Sequence, residues 1–469
     1  MMRCVDFYIS PTLLRLACVF IGFCGSVVAA EKPSVIVVLV DDMGWGDPAV
    51  FGGQVPTPNF DRLAREGMQF RQFYVASPIC SASRCGLITG QFPARWRITS
   101  YLQTRAGNRE CEQADFLDPR APSLPRAFHD AGYATAHIGK WHLGGGRDVV
   151  DAPKFADYGY DFGLGTYESP EPAAALGSKS MPWSEQLEPQ QVPRHQRTRW
   201  MVDQTLDFLQ THTGKPCFVN LWFDDVHTPF RPAPGPPGSG KAEAGPKSRE
   251  RFDAVLAETD RQIGRLLDGL RERGLEKNTL VLVAGDNGPE PTFERARTGG
   301  LRGMKWSLYE GGIRTPLIVR WPGVVPAGVV NDSTIVGAVD FFPTLCQLAG
   351  VESPAGIAFD GEDMGAVFRG EKWTRIKPLL WEYGRKPAAK GLRTFPYPGE
   401  PEARSPNVAI RNGDWKLLVN ADGSRAELFN LRIDPTESND LTSAEPAIAA
   451  RLRSTALEWR AALPKLDPP

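Results

Sequence analysis

The chain has 469 residues, 42% of them apolar and 23% charged, and a net charge of −1. Such a composition excludes an extended disordered chain and fits a globular protein of roughly two or three domains. The balanced charge excludes a global basic field of the kind that draws nucleic acid or acidic membranes.

Residues 1–30 stand apart from the rest. Arg3 precedes an apolar run over 16–23, and small residues close the segment at Val28, Ala29 and Ala30. This pattern predicts a secretory signal cleaved after Ala30. Leu16 to Ala30 spans 15 residues, short of the roughly 20 that cross a bilayer. The expectation is an exported protein, periplasmic or secreted, with no membrane span after cleavage. Cys4, Cys18 and Cys24 leave with the signal, and Cys80, Cys85, Cys111, Cys217 and Cys346 remain. An odd number leaves at least one thiol unpaired, and the absence of any Cys-x-x-Cys pattern argues against structural zinc.

Val35 to Val40 and Thr279 to Ala284 are continuous, β-branched and without alternation. Such runs predict strands buried on both faces, as in the parallel sheet of an α/β protein. Tyr133–Ile138 and Phe218–Phe223 read as further strands. Apolar residues at helical spacing predict a helix over 251–273, stopped by Gly274, and another over 340–348, ended by Gly350. Residues 228–247 are rich in proline and glycine and read as a long loop, a type that often covers a site. Beyond about 355 the texture changes to short strands between turns (PLLWEYG, VAIRNGDWKLLV, AELFNL) and a final helix over 445–463. The expected division is a signal at 1–30, a large α/β body at 31–355, and a smaller α+β domain with an antiparallel sheet at 356–469.

Both long buried strands run into acid: Asp41-Asp42 after the first, and Asp286-Asn287 just past the second. Ligands of open α/β sheets bind beyond the carboxyl ends of strands. Either pair alone is an ordinary turn. Two on matching strands point to a four-oxygen cluster for Ca²⁺ or Mg²⁺. Neighbouring strand residues face opposite ways, so the chain must leave the strand here, and Gly44 and Gly288 are the residues expected to permit it. His142 and His227 also follow strands, whereas His129, His195 and His212 read as packed or surface histidines. Lys140 and Lys305 lie in glycine-flanked segments. The stretch ASPICSASRCGLITG puts Cys80 at or just before a helix N-terminus beside Arg84, a setting expected to lower a thiol's pKa. A Cys80–Cys85 disulfide is the competing reading.

As a set, these motifs resemble the formylglycine-dependent sulfatases, arylsulfatase A-like members of the alkaline phosphatase superfamily. Cys80-Ser-Ala-Ser-Arg84 followed by LITG matches that family's signature, with Ala82 where the commonest form has proline. GYATAHIGKWHLG, HTP, DNG and GMKWSLYEGGIRTPLIVRWPG follow in the family's order. The resemblance implies a large mixed, mostly parallel sheet flanked by helices, with a smaller C-terminal domain. It implies that a formylglycine-generating maturation enzyme oxidises Cys80 to formylglycine, whose hydrate attacks sulfur. Asp41, Asp42, Asp286 and Asn287 would hold one divalent cation, usually Ca²⁺, with the side chain at position 80 against it. Arg84 would steady the hydrate, and Lys140 and Lys305 would bind sulfate oxygens. His227 or Lys305 would protonate the leaving alcohol. His142 would take the proton whose loss lets the aldehyde re-form and sulfate depart. The substrate would be a sulfated small molecule or carbohydrate, with Arg95, Arg97, Arg105 and Arg231 as candidates for an anionic sugar subsite. The competing functions are phosphate or phosphonate monoester hydrolysis and non-catalytic binding of sulfated glycans.

Overall fold

The computed structural model describes Met1 and residues 32–172, 192–234, 245–384 and 397–464. The expected signal, apart from Met1, lies outside the described residues, as does the 235–244 portion of the Pro-rich loop. Among the described residues no helix is long and apolar enough to cross a membrane.

Among the described residues nine strands form the main sheet: β1 (Ser34–Val40), β2 (Met68–Tyr74), β3 (Ala134–Gly139), β4 (Phe162–Gly165), β5 (Cys217–Phe223), β6 (Thr279–Gly285), β7 (Arg314–Arg320), β8 (Val329–Asn331) and β9 (Val336–Gly337). Their order is β4-β3-β5-β1-β6-β7-β2-β8, with β9 also on β2. The unalternating β1 run is buried throughout. Val35, Val37 and Leu39 join one apolar core, and Ile36, Val38 and Val40 join the other. That is why the run is apolar at every step rather than every second one. β5 and β6 flank β1 in parallel, with Val40 level with Phe223 and with Gly285. The residues following all three strands therefore emerge side by side.

Among the described strands of this sheet, β7 alone runs against its neighbours, β6 and β2. The reversal matters for function. It keeps everything between the end of β6 and the start of β7 at the carboxyl end of the sheet.

Helices Arg197–Thr211 and Arg249–Glu272 cover one face. Helices Cys80–Thr89 and Phe341–Ala349 lie in the core of the other face, together with a four-stranded antiparallel sheet of β10 (Leu379–Glu382), β11 (Val408–Asn412), β12 (Trp415–Val419) and β13 (Glu427–Asn430). Fully buried Lys416 on β12 pairs with Glu310 at 3.0 Å and Glu437 at 2.8 Å, and Tyr74 on β2 donates to Glu310 at 2.6 Å. This ionic knot ties the second sheet to the main one.

His137 on β3 is fully buried, with the rings of Trp141, Phe155 and Trp222 centred 5.0, 5.0 and 4.9 Å away. Burial, aided by nearby Arg84, pushes its pKa down to about 3. The folded state thus holds it neutral where the unfolded chain, near 6.5, would take a proton. Its stabilising share is complete above pH 6.5 and is lost as pH falls towards 3. Between pH 7.5 and 5 the wild type is expected to lose about 2 kcal/mol more stability than His137→Phe. Urea midpoints at the two pH values check this; equal losses would remove His137 as an acid-sensitive element.

Candidate active site

The carboxyl ends of β1, β3, β5 and β6 carry a buried ionic cluster. Asp41 and Asp42 follow β1, Lys140 follows β3, and Asp286 and Asn287 follow β6. Cys80 is the first residue of the helix Cys80–Thr89. Its Sγ lies 3.5 Å from Asp41 Oδ1. Ligand atoms of Asp41, Cys80 and Asp286 all fall within 4.8 Å of one another.

One helical turn on, Arg84 is fully buried. It donates to Asp286 Oδ2 at 2.7 and 3.0 Å and to the Lys140 carbonyl at 2.5 Å, and it lies 3.6 Å from Asp41. The Trp222 ring closes the other side of the guanidinium at 5.0 Å. Lys140 Nζ donates to Asp41 Oδ2 at 2.6 Å and sits 4.9 Å from the Tyr167 ring. Lys305 Nζ donates to both oxygens of Asp42 at 2.6 and 2.8 Å. Asn287 donates to Asp42 Oδ1 at 2.7 Å, and Asp286 Oδ1 accepts from the Asp42 amide at 3.1 Å. Every acid, amide and cation expected at the site is brought together.

The two histidines take different positions. His227 Nδ1 lies 2.6 Å from the Thr228 carbonyl, so it carries the proton, and Nε2 faces Asp42 at 3.6 Å. His142 Nε2 lies 3.3 Å from the Leu102 carbonyl and its ring stands edge-on to Tyr167 at 4.4 Å. Its buried Nδ1 has no hydrogen-bond partner among the described residues. Burial, with Lys140 next, holds its pKa well below the ordinary imidazole value. The ring is neutral, with a free lone pair on Nδ1.

Three non-glycine residues of this region adopt left-handed backbone: Asp42 at φ 58°, His142 at 54° and Trp306 at 73°. Such positions cost about 1–3 kcal/mol each and persist where surrounding contacts over-determine them. Here the expectation for Gly44 needs correcting. Asp42 itself makes the turn out of β1, and Gly44 is required because a Cβ there would lie 2.1 Å from the Arg297 carbonyl oxygen.

The expected low pKa of the Cys80 thiol is also corrected. Burial, with help from Asp41 and Asp286, outweighs Lys140 and Lys305 and pushes it up to about 12. An unmodified Cys80 is a neutral thiol at pH 7. The disulfide reading fails as well, since all five described cysteines are free and buried. Arg95 pairs with Asp360, and Arg105 with Asp115 and Asp151. Arg231 lines a separate cavity of about 510 Å³ with His195 and Arg199.

Several neighbours escape sequence reading. Tyr167 packs against both Lys140 and His142. Glu290 receives Lys247 at 2.6 Å and the Thr228 hydroxyl. Glu290 follows Asp286 by four residues, which is a usable signal, whereas nothing marks Tyr167.

A model of the family described as Sulfatase matches residues 33–351. The chain belongs to the sulfatase family. A second model, N-sulphoglucosamine sulphohydrolase C-terminal, matches 304–460. N-acetylgalactosamine-6-sulfatase of Sus scrofa is 32% identical over 418 residues, covering 82% of this chain and 74% of that protein. Arylsulfatase A of Bos taurus is 29% identical over 446 residues, covering 90% and 81%. The sulfatase PsFucS1 from Pseudoalteromonas sp. superposes with TM-score 0.67 at 25% identity, over 93% of this chain and 92% of that one. This sulfatase is a hydrolase of sulfate esters, built on the mixed, mostly parallel sheet of the alkaline phosphatase superfamily.

The donor set fits one hard divalent cation. Asp41, Asp42 and Asp286 supply buried carboxylates, and Asn287 Oδ1 is fully buried with no hydrogen-bond partner among the described residues. An orphaned amide oxygen beside three acids is what an oxygen-seeking ion requires.

Proposed function

We propose that this sulfatase removes sulfate from a carbohydrate monoester, using Cys80 converted to formylglycine and one cation, Ca²⁺ before Mg²⁺, held by Asp41, Asp42, Asp286 and Asn287. The observation that carries this is the meeting of position 80 with those oxygens and with Arg84, Lys140 and Lys305 in one buried cluster. Relatives named for N-acetylgalactosamine 6-sulfate support a sugar substrate. An exported protein and a split into a catalytic part at 31–355 and a smaller part at 356–469 belong to the same proposal.

When bound, the cation would supply Lewis acidity and offset the ester's negative charge. The formylglycine hydrate would supply a nucleophilic hydroxyl and a second hydroxyl through which sulfate is released. The chain's own groups do the rest. Lys140 and Lys305 turn from their carboxylates towards sulfate oxygens, where charge shifts as the S–O bond breaks. Arg84 holds Asp286 and orients the group at position 80. Lys305 and His227 are the two groups able to protonate the departing oxygen: Lys305 Nζ lies 2.6 and 2.8 Å from the Asp42 oxygens, and His227 Nε2 faces the same carboxylate at 3.6 Å. His142 Nδ1 is the free base nearest in character to what release of sulfate needs.

A phosphonate monoester hydrolase of Agrobacterium radiobacter shares the fold, with TM-score 0.65 at 20% identity. Rates on aryl sulfate, aryl phosphate and aryl phosphonate separate the readings, and a large preference for phosphorus overturns the sulfate proposal. A panel of defined sulfated saccharides then tests the carbohydrate. Removing divalent cations with EGTA is expected to lower turnover by about 10²-fold or more, restored by Ca²⁺; full activity in chelator would exclude the cation.

A further inference from the structure

Arg297 lies in the stretch between β6 and β7, is 2% exposed, and touches no group that meets the ester in the reading above. It nonetheless grips the turn that carries Asp41 and Asp42. Its Nη2 donates to the Asp42 carbonyl at 2.6 Å. Nε and Nη2 also donate to Asp47, at 3.1, 3.2 and 2.8 Å. Asp47 Oδ2 in turn accepts the Gly44 amide at 2.7 Å, and the Gly46 amide donates to the Arg297 carbonyl at 2.9 Å. The guanidinium rests on the Phe252 ring at 4.4 Å. The turn after β1 and the segment around Arg297 are interlocked at backbone level: a Cβ on Gly44 would strike the Arg297 carbonyl at 2.1 Å, and one on Gly46 the Gly299 nitrogen at 2.4 Å.

The left-handed residue in this turn is Asp42. In a continuing strand Asp41 and Asp42 would face opposite sides of the sheet. They converge because the chain turns at Asp42, and the atom that reports that turn, the Asp42 carbonyl oxygen, is the one Arg297 binds. We infer that Arg297, with Asp47, is a positioning residue that fixes the Asp42 turn and so sets the affinity of the acid cluster for its cation. Rotation of the peptide after Asp42 would break the Arg297 bond and free the left-handed turn from which the Asp42 carboxylate meets Asn287. This inference rests on the cation reading proposed above.

Calorimetric titration of Ca²⁺ into EGTA-stripped full-length protein tests it, with wild type, Arg297→Met, Arg297→Lys and Asp47→Asn compared far below their unfolding temperatures. Circular dichroism confirms folding. Arg297→Met is expected to bind Ca²⁺ about 10–100-fold more weakly, as for other residues that orient metal ligands. Arg297→Lys should fall between it and wild type, because one ammonium cannot serve both Asp47 and the Asp42 carbonyl. Excess Ca²⁺ should recover much of kcat in both. If Arg297→Met does not fold, the near-isosteric Asp47→Asn carries the test, with an expected weakening of roughly ten-fold. Folded variants with wild-type Ca²⁺ affinity overturn this inference alone. A wild type that binds no Ca²⁺ overturns the cation reading and the inference together.

Discussion

In the Cys80→Ser protein, turnover of an aryl sulfate falls by about 10⁴-fold or more, while the unfolding free energy from urea titration stays within about 1 kcal/mol of wild type. The first half follows from what position 80 must provide. Its thiol is 2% exposed and pushed up to about 12 by burial, so as plain cysteine it offers almost no thiolate at neutral pH. A serine there would also be un-ionised beside Asp41. If it captured sulfate, it would have no second hydroxyl through which to expel it. A single burst of leaving group followed by silence is therefore the sharpest expected signature. The second half follows from packing: serine is close in size and its hydroxyl can donate to Asp41 Oδ1, now 3.5 Å from sulfur. Stopped-flow release and urea titration measure the two halves. A hydrazide probe that labels wild type and not the variant checks the aldehyde. Sustained wild-type turnover by Cys80→Ser would end the nucleophile assignment.

Arg84→Met should be the most destabilising single change in the site, at about 3–5 kcal/mol, with loss of activity. Arg84 is wholly buried and its partners cannot reach water. Removing it strands Asp286 against Asp41. Burial, and then repulsion from Asp41, already raise the Asp286 carboxyl to about 6 with Arg84 present. A carboxyl whose folded pKa is raised contributes stability below its unfolded value, and loses it as pH rises through the folded value. Without Arg84 the folded value climbs further, so the variant's deficit should widen as pH rises above 6. Urea midpoints in EGTA at pH 5.5 and 8 measure this. A gap that narrows at pH 8 would show that Arg84 does not neutralise Asp286. Arg84→Lys should recover only part, because an ammonium cannot span Asp286, Asp41 and the Lys140 carbonyl together.

The centre of this architecture can be read from residues because two strands are apolar without alternation and each runs into acid. Only burial on both faces explains Val35–Val40, and only a shared sheet end makes sense of Asp41-Asp42 with Asp286-Asn287. What stays hidden depends on tertiary direction. β7 has the same apolar texture as its neighbours, and nothing in Arg314–Arg320 announces that it runs the other way. Without that reversal, the placing of Arg297 at the same sheet end as Asp42 is invisible. β8 and β9, of three and two residues, are too short to carry a pattern. Cys80 shows a different limit. Its place at a helix start is local and legible. The burial that outweighs its cationic neighbours is set by elements far away in the chain.

The order of strands in the main sheet also bears on how the polypeptide is made. β1 lies at the middle, yet both its neighbours come late: β5 begins at Cys217 and β6 at Thr279. At about 5–20 residues per second, a ribosome exposes this greasy ribbon for roughly 10–35 s before even the first neighbour is complete. An unpaired, uncharged strand is a template for intermolecular pairing. Nascent chains cut short before the sixth strand should therefore precipitate rather than fold. Yield of the intact molecule should depend more on holdase chaperones during translation than on the stability of the finished product.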